Sequence, residues 1–140
     1  MFTGFTQKSS DFFWDFNFNN ERPWFLDHKE EFEELINRPF KALAAETLQL
    51  MEQRFPQKDC RLHVSRIYRD ARRLFGRGPY KDHLWLSVEQ PGDMWTARPC
   101  FWFELTPDGW SYGMGYYMAK PLTMAKLRAR MERNPAEMLE

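Results

Sequence analysis

Cys60-Arg61-Leu62-His63-Val64-Ser65-Arg66-Ile67 is the stretch on which the fold turns. Before it, apolar residues recur at helical spacing. Within it, Cys60, Leu62 and Val64 alternate with Arg61, His63 and Ser65, which is the period of a strand. The alternation breaks at Arg66-Ile67, so the strand either bulges there or turns Arg66 inward.

Upstream, the spacing predicts three helices. Ser9 or Ser10 caps the first, which puts Phe12, Phe13 and Phe16 on one side and stops near Asn19-Asn20. The second takes Pro23 in its first turn and carries Trp24, Phe25, His28, Phe32, Leu35 and Ile36. Asn37 is expected to end it and to cap a third helix, with Pro39 in the first turn and Phe40, Leu43, Ala44, Thr47, Leu48 and Met51 as the stripe. Pro56 closes that helix.

Downstream, a Gly/Pro-punctuated loop passes through Gly76, Gly78 and Pro79. Leu84, Leu86 and Val88 then alternate with His83, Trp85 and Ser87. Pro91-Gly92-Asp93 reads as a turn. Phe101, Phe103 and Leu105 alternate again, and Thr106-Pro107-Asp108-Gly109 is a strong hairpin signal completed by Trp110 to Ala119. A last helix from about Pro121 to Arg133 is expected to turn Leu122, Met124, Leu127 and Met131 inward. Helices, then strands, then a helix describe an α+β fold: N-terminal helices packed on a largely antiparallel sheet with a closing C-terminal helix, in one domain over residues 1–140.

The 20 basic and 20 acidic side chains balance, so no global field favours nucleic acid or an anionic membrane, and nucleic acid is disfavoured as a partner. The 13 Phe, 6 Trp and 5 Tyr let a chain of this length build a core from few side chains. Cys60 and Cys100 form no disulfide ladder, Met1 to Ser10 has no leader-like apolar run, and nothing matches a membrane span. The expectation is a soluble, cytoplasmic protein with no membrane partner.

Neutrality hides an asymmetry. Ser10 to Asp59 holds eleven acidic and six basic residues. Cys60 to Lys81 holds Arg61, Arg66, Arg69, Arg72, Arg73, Arg77 and Lys81 against Asp70 alone, interleaved with Tyr68, Phe75 and Tyr80. Arginine's planar fork suits phosphate and carboxylate, which points to an anionic small molecule, with Gly76 and Gly78 letting the backbone approach it. The competing reading is that these arginines bridge to the acidic helices and hold the loop against the sheet.

Gly113 and Gly115 share a strand face and leave a groove that Trp85 and Trp102 would floor, unless a ring fills it. His28, His63 and His83 are far apart and neither cysteine has a partner at zinc-ligand spacing, so no metal or cofactor is implied. No strand-to-helix Gly-x-Ser-x-Gly turn is present. An Asp–His or Tyr–Lys pair formed only in three dimensions stays open.

Asn19-Asn20-Glu21-Arg22 with Trp24-Phe25, His28-Lys29, Pro39, Ser65-Arg66-Ile67-Tyr68-Arg69-Asp70, Arg72, Pro79-Tyr80-Lys81, Pro107-Asp108-Gly109, Gly113, Gly115 and Leu127-Arg128 occur in an order and spacing that resemble domain-of-unknown-function family 2461. That family has no established activity, so the resemblance implies an architecture and draws attention to Arg66, Arg69, Asp70, Arg72, Tyr80 and Lys81. Family members usually read Arg-Phe-Ser-Lys-Asp-Lys between the two central blocks; here Arg72 is followed by Arg73-Leu74-Phe75-Gly76-Arg77-Gly78, without the Asp. Members are also commonly longer, which implies a further C-terminal portion. Two functions remain: a binding domain, enzymatic or not, for a phosphate- or carboxylate-bearing ligand, or a non-enzymatic module that docks a protein partner.

Overall fold

In the computed structural model, which describes residues 1–92 and 94–138, helix α1 spans Gln7–Phe18 with Thr6 as its cap. The Thr6 N–H donates to Ser9 Oγ at 3.2 Å, so Ser9 serves the cap from inside the first turn instead of being the cap. Helix α2 (Arg22–Asp27) is capped by Glu21, and α3 (Lys29–Phe32) leads into a π-helical turn at Glu33–Asn37 that continues as α4 (Arg38–Arg54).

The break expected at Asn37 is absent. Asn37 has helical dihedrals, φ −70 and ψ −45, and its Nδ2 donates to both Glu33 carboxylate oxygens at 2.9 and 2.8 Å. The physical reason lies at Pro39. Its ring would crowd the Leu35 carbonyl one regular turn back. The wider turn, in which the Arg38 N–H reaches the Glu33 carbonyl, relieves that crowding without ending the helix.

Strands β1 (Arg61–Val64), β2 (Leu84–Glu89), β3 (Pro99–Thr106) and β4 (Gly109–Tyr116) form an antiparallel meander in the order β1-β2-β3-β4. Ser87 lies opposite His63 on one side and Trp102 on the other, and Trp102 lies opposite Gly113. Asp93, from the expected Pro91–Asp93 turn, lies outside the described residues.

One face of the sheet takes the helices. Phe12, Phe13, Phe16, Phe25, Phe32, Ile36, Phe40 and Ala44 share a single buried cluster with Leu84, Leu86 and Leu105. Burying each large apolar side chain contributes about 1.5–3 kcal/mol, and the six buried phenylalanines of α1 to α4 build most of this layer, while many of the other rings stay exposed.

The helical layer stops over β3. Trp110, Tyr112 and Met114 of β4 are in register with Leu105, Phe103 and Phe101, yet they remain 63%, 71% and 64% exposed.

Helix α5 (Pro121–Arg133) stands where the spacing put it, but its stripe is only partly covered: Met124 and Leu127 are half-buried. Leu122 is 68% and Met131 45% exposed, and no α5 residue is buried. The helices α1 to α4 cover the sheet only as far as β3, and α5 is left without a fully covering layer. No helix among the described residues is long and apolar enough to cross a membrane.

Candidate functional site: a basic ribbon

The loop between β1 and β2 is folded back on itself. Tyr68 and Tyr80 form an antiparallel bridge, the Arg69 N–H donates to the Pro79 carbonyl at 2.8 Å, and the Lys81 N–H donates to the Ile67 carbonyl at 2.8 Å. Ser-Arg-Ile-Tyr-Arg-Asp and Pro-Tyr-Lys, separated in sequence, are thus the two arms of one ribbon. At the tip Phe75 has φ 47 and Gly76 φ 77, and these two left-handed residues turn the chain.

Asn20 anchors the ribbon to the helices. Its Nδ2 donates to the Tyr80 carbonyl at 2.9 Å and its Oδ1 accepts from the Tyr80 N–H at 3.0 Å, as a neighbouring strand would. Gly78 leaves the space for this: a Cβ there would lie 2.3 Å from Asn20 Oδ1. The close approach at Gly78 is therefore to Asn20, not to a ligand. Open space surrounds Gly76.

Of the six candidate residues, three come together and three do not join them. The Tyr80 ring is 3% exposed and packs against Phe25 and Phe16 at centroid distances of 4.4 and 5.1 Å, as part of the core. Burial first, then Tyr68, pushes its hydroxyl above the usual range. Asp70 and Arg72 pair with each other near the tip at 2.9 Å, and this hydrogen bond holds the Asp70 carboxyl below its ordinary value.

Arg66, Arg69 and Lys81 form the cluster. Arg69 donates from Nε at 3.2 Å and from Nη2 at 2.9 Å to the Tyr80 carbonyl. Lys81 Nζ donates to the Arg66 carbonyl at 2.7 Å. Burial lowers the Lys81 ammonium from the usual lysine range, and the charges of Arg66 and Arg69 lower it further. Arg66 is exposed and its side chain makes no hydrogen bond or ion pair among the described residues.

Backbone carbonyls fix Arg69 and Lys81 in place without cancelling their charge. The ion pairs among the described residues are Met1–Glu46, Arg61–Glu89, Arg72–Asp70, His83–Asp82 and Arg130–Glu137. None joins a ribbon cation to an acidic residue of α1 to α4, so the bridging expected of these arginines is not found.

Asn20 was legible only as part of the Asn19-Asn20 block, with no hint of its partner 60 residues away. Asp82 and His83 pair with Oδ1 and Nδ1 2.7 Å apart, but as neighbours in sequence they are not the Asp–His pair formed only in three dimensions that was left open above. This bond, chiefly, holds the Asp82 carboxyl low, and the charge of Arg69 adds a smaller pull. His28 and His63 instead stack on Trp24 and Trp85, at 3.9 and 4.9 Å.

On the far face of the sheet, the Trp102 ring lies over Gly113, where an added Cβ would be 3.1 Å from it, while the space above Gly115 is open. A ring fills half the expected groove and leaves the other half.

The family model described as "Conserved hypothetical protein (DUF2461)" matches residues 8–140. The chain belongs to this family. No curated protein and no solved structure matches it. In this DUF2461 chain two of the blocks that carried the resemblance, Ser-Arg-Ile-Tyr-Arg-Asp and Pro-Tyr-Lys, zip into the ribbon, and Asn20 of a third locks it.

Proposed function

We propose that this DUF2461 chain binds a small molecule bearing a phosphate or carboxylate, through Arg66, Arg69 and Lys81. The observation that carries the reading is that Arg69 and Lys81 are held by the carbonyls of Tyr80 and Arg66, with no carboxylate among the described residues in an ion pair with either. An arginine has five N–H donors and a lysine three. Among the described residues Arg69 therefore keeps three without a partner and Lys81 two, while all five of Arg66 are unspent. Cations already ordered lose less entropy on meeting an anion, and a partly desolvated site strengthens the attraction.

A thermal-shift titration with inorganic phosphate, sulfate and citrate at low and moderate salt tests this. The expected outcome is a selective rise in melting temperature that shrinks as salt rises. No rise with any of the three anions would sink the proposal.

One observation favours a second reading, a face for a protein partner. Trp110, Tyr112 and Met114 lie exposed in a row on β4, whose outer edge pairs with no strand among the described residues. Such an edge accepts an extended segment by strand addition. Sedimentation of the purified chain, with and without Tyr112→Lys, reads whether a second copy supplies that segment.

A further inference from the structure

The far face of the sheet holds a recess that the ribbon does not reach, and its chemistry is the opposite of the ribbon's. The cavity is about 400 Å³, and its lining includes Trp85, Trp95, Trp102 and Tyr117 around Ser87 and Glu104. Trp85 leans toward β1, stacked on His63 at 4.9 Å, and Trp102 leans toward β4 over Gly113. The two indoles thus diverge from Ser87, which lies between β1 and β3 in the sheet. Trp95, on the turn before β3, stacks on Tyr117 at 5.6 Å and supplies a further wall. The Met118 N–H, donating to the Thr96 carbonyl at 2.9 Å, ties the two segments together.

Two polar groups in this apolar recess lack partners among the described residues. Ser87 is 4% exposed, and its hydroxyl has no hydrogen-bond partner among them. Buried hydroxyls nearly always have one, so an orphan on the lining of a cavity points to a missing group. Glu104 is half-buried and makes no ion pair among the described residues. It also borders a second cleft whose lining includes two further carboxylates, Asp82 and Asp108. Cys100 adds no charge, because burial and the nearby Glu89 carboxylate push its thiol up.

We infer that this recess binds a methylated ammonium compound that also carries a hydroxyl. Aromatic faces attract cations through the ring quadrupole, and methyl groups on nitrogen fill an apolar enclosure that a bare ammonium, strongly hydrated, would leave. The Glu104 carboxylate neutralises the charge and the ligand hydroxyl pairs with Ser87. The volume, near the lower end of small-molecule sites, suits a compact molecule. The inference is independent of the anion site.

Titration of the intact chain with choline, followed by tryptophan fluorescence, is the test. Tetramethylammonium, the neutral isostere 3,3-dimethylbutan-1-ol and methyl glucoside serve as comparators. The expected result is saturable binding of choline, weaker by about tenfold or more for the neutral isostere and for Glu104→Gln, where a tenfold change is the scale of one such interaction. Ser87→Ala should narrow the gap between choline and tetramethylammonium, and Arg66→Ala should leave both unchanged. A circular-dichroism melt confirms that each variant is folded. Equal binding of choline and its isostere, binding of methyl glucoside alone, or no response to choline would each overturn the inference.

Discussion

The ribbon and the open face of the sheet are both rich in rings and charges, yet they spend them in opposite ways. In the ribbon the rings go inward: Tyr80 joins Phe16 and Phe25 in the core, and the cations are left outside on neutral carbonyl tethers. On the sheet the rings stay on the surface, and a carboxylate and a hydroxyl sit among them. The difference teaches that a local excess of charge is informative only once its partners are known. The seven cations of the segment read as one site, but the structure splits them into a cluster of three, Arg72 paired with Asp70, Arg61 of β1 paired with Glu89, and two solvated tip residues.

The largest effect should come from unlocking the ribbon. Gly78→Val puts a branched side chain into the space held by Asn20. The expected loss is at the upper end of about 1–3 kcal/mol, read by urea denaturation. An unchanged midpoint would mean that the ribbon tolerates displacement and does not organise the cluster.

Asn20→Ala should cost about 1–3 kcal/mol, because the Tyr80 N–H and carbonyl both lose a partner in a part-buried setting. Anion affinity should fall with it, since the carbonyl that tethers Arg69 is no longer fixed. Loss of stability with full affinity would separate scaffold from site.

The third prediction concerns pH and sharpens the assignment of Lys81. Its ammonium titrates below the usual lysine range, chiefly through burial. Sulfate binding should therefore weaken as pH rises through that lowered value, before ordinary lysines lose their protons. Stability moves the other way. Between the lowered value and the usual range the unfolded chain binds the proton and the folded one does not, so stability rises with pH there. Lys81→Met should remove both trends, and calorimetric titration with sulfate across alkaline pH reads the first.

The smallest effect belongs to the tip. Arg72→Ala removes a pair in solvent, and the melting temperature should not move beyond experimental error. Retained anion binding in that variant would confine the site to the three clustered cations.

Much of the fold was legible because period reports burial directly. The change at Cys60, the alternation at Leu84–Val88 and the Pro107-Asp108-Gly109 turn each set a boundary by local chemistry. Asn37 misled because a residue that favours caps was used instead to bond the Glu33 side chain, and the Pro39 problem was solved by a wider turn that leaves no mark in the pattern. Leu122 and Met131 misled because periodicity shows that a helix has an apolar side but not that a layer waits to cover it. The basic cluster was half legible. Sequence placed Arg66, Arg69 and Lys81 in one segment, while the carbonyl tethers on Arg69 and Lys81 and the core position of Tyr80 depend on pairing across the loop.

Arg66→Ala is the most direct test of the anion site, because that side chain holds nothing else in place, whereas Arg69 also braces the ribbon through the Tyr80 carbonyl. Thermal unfolding of the native chain and this variant, each with and without inorganic phosphate and citrate, is the measurement. The account predicts equal melting temperatures without anion and a salt-sensitive rise in the native chain that the variant loses or sharply reduces. An identical rise in both proteins, or none in either, would contradict it.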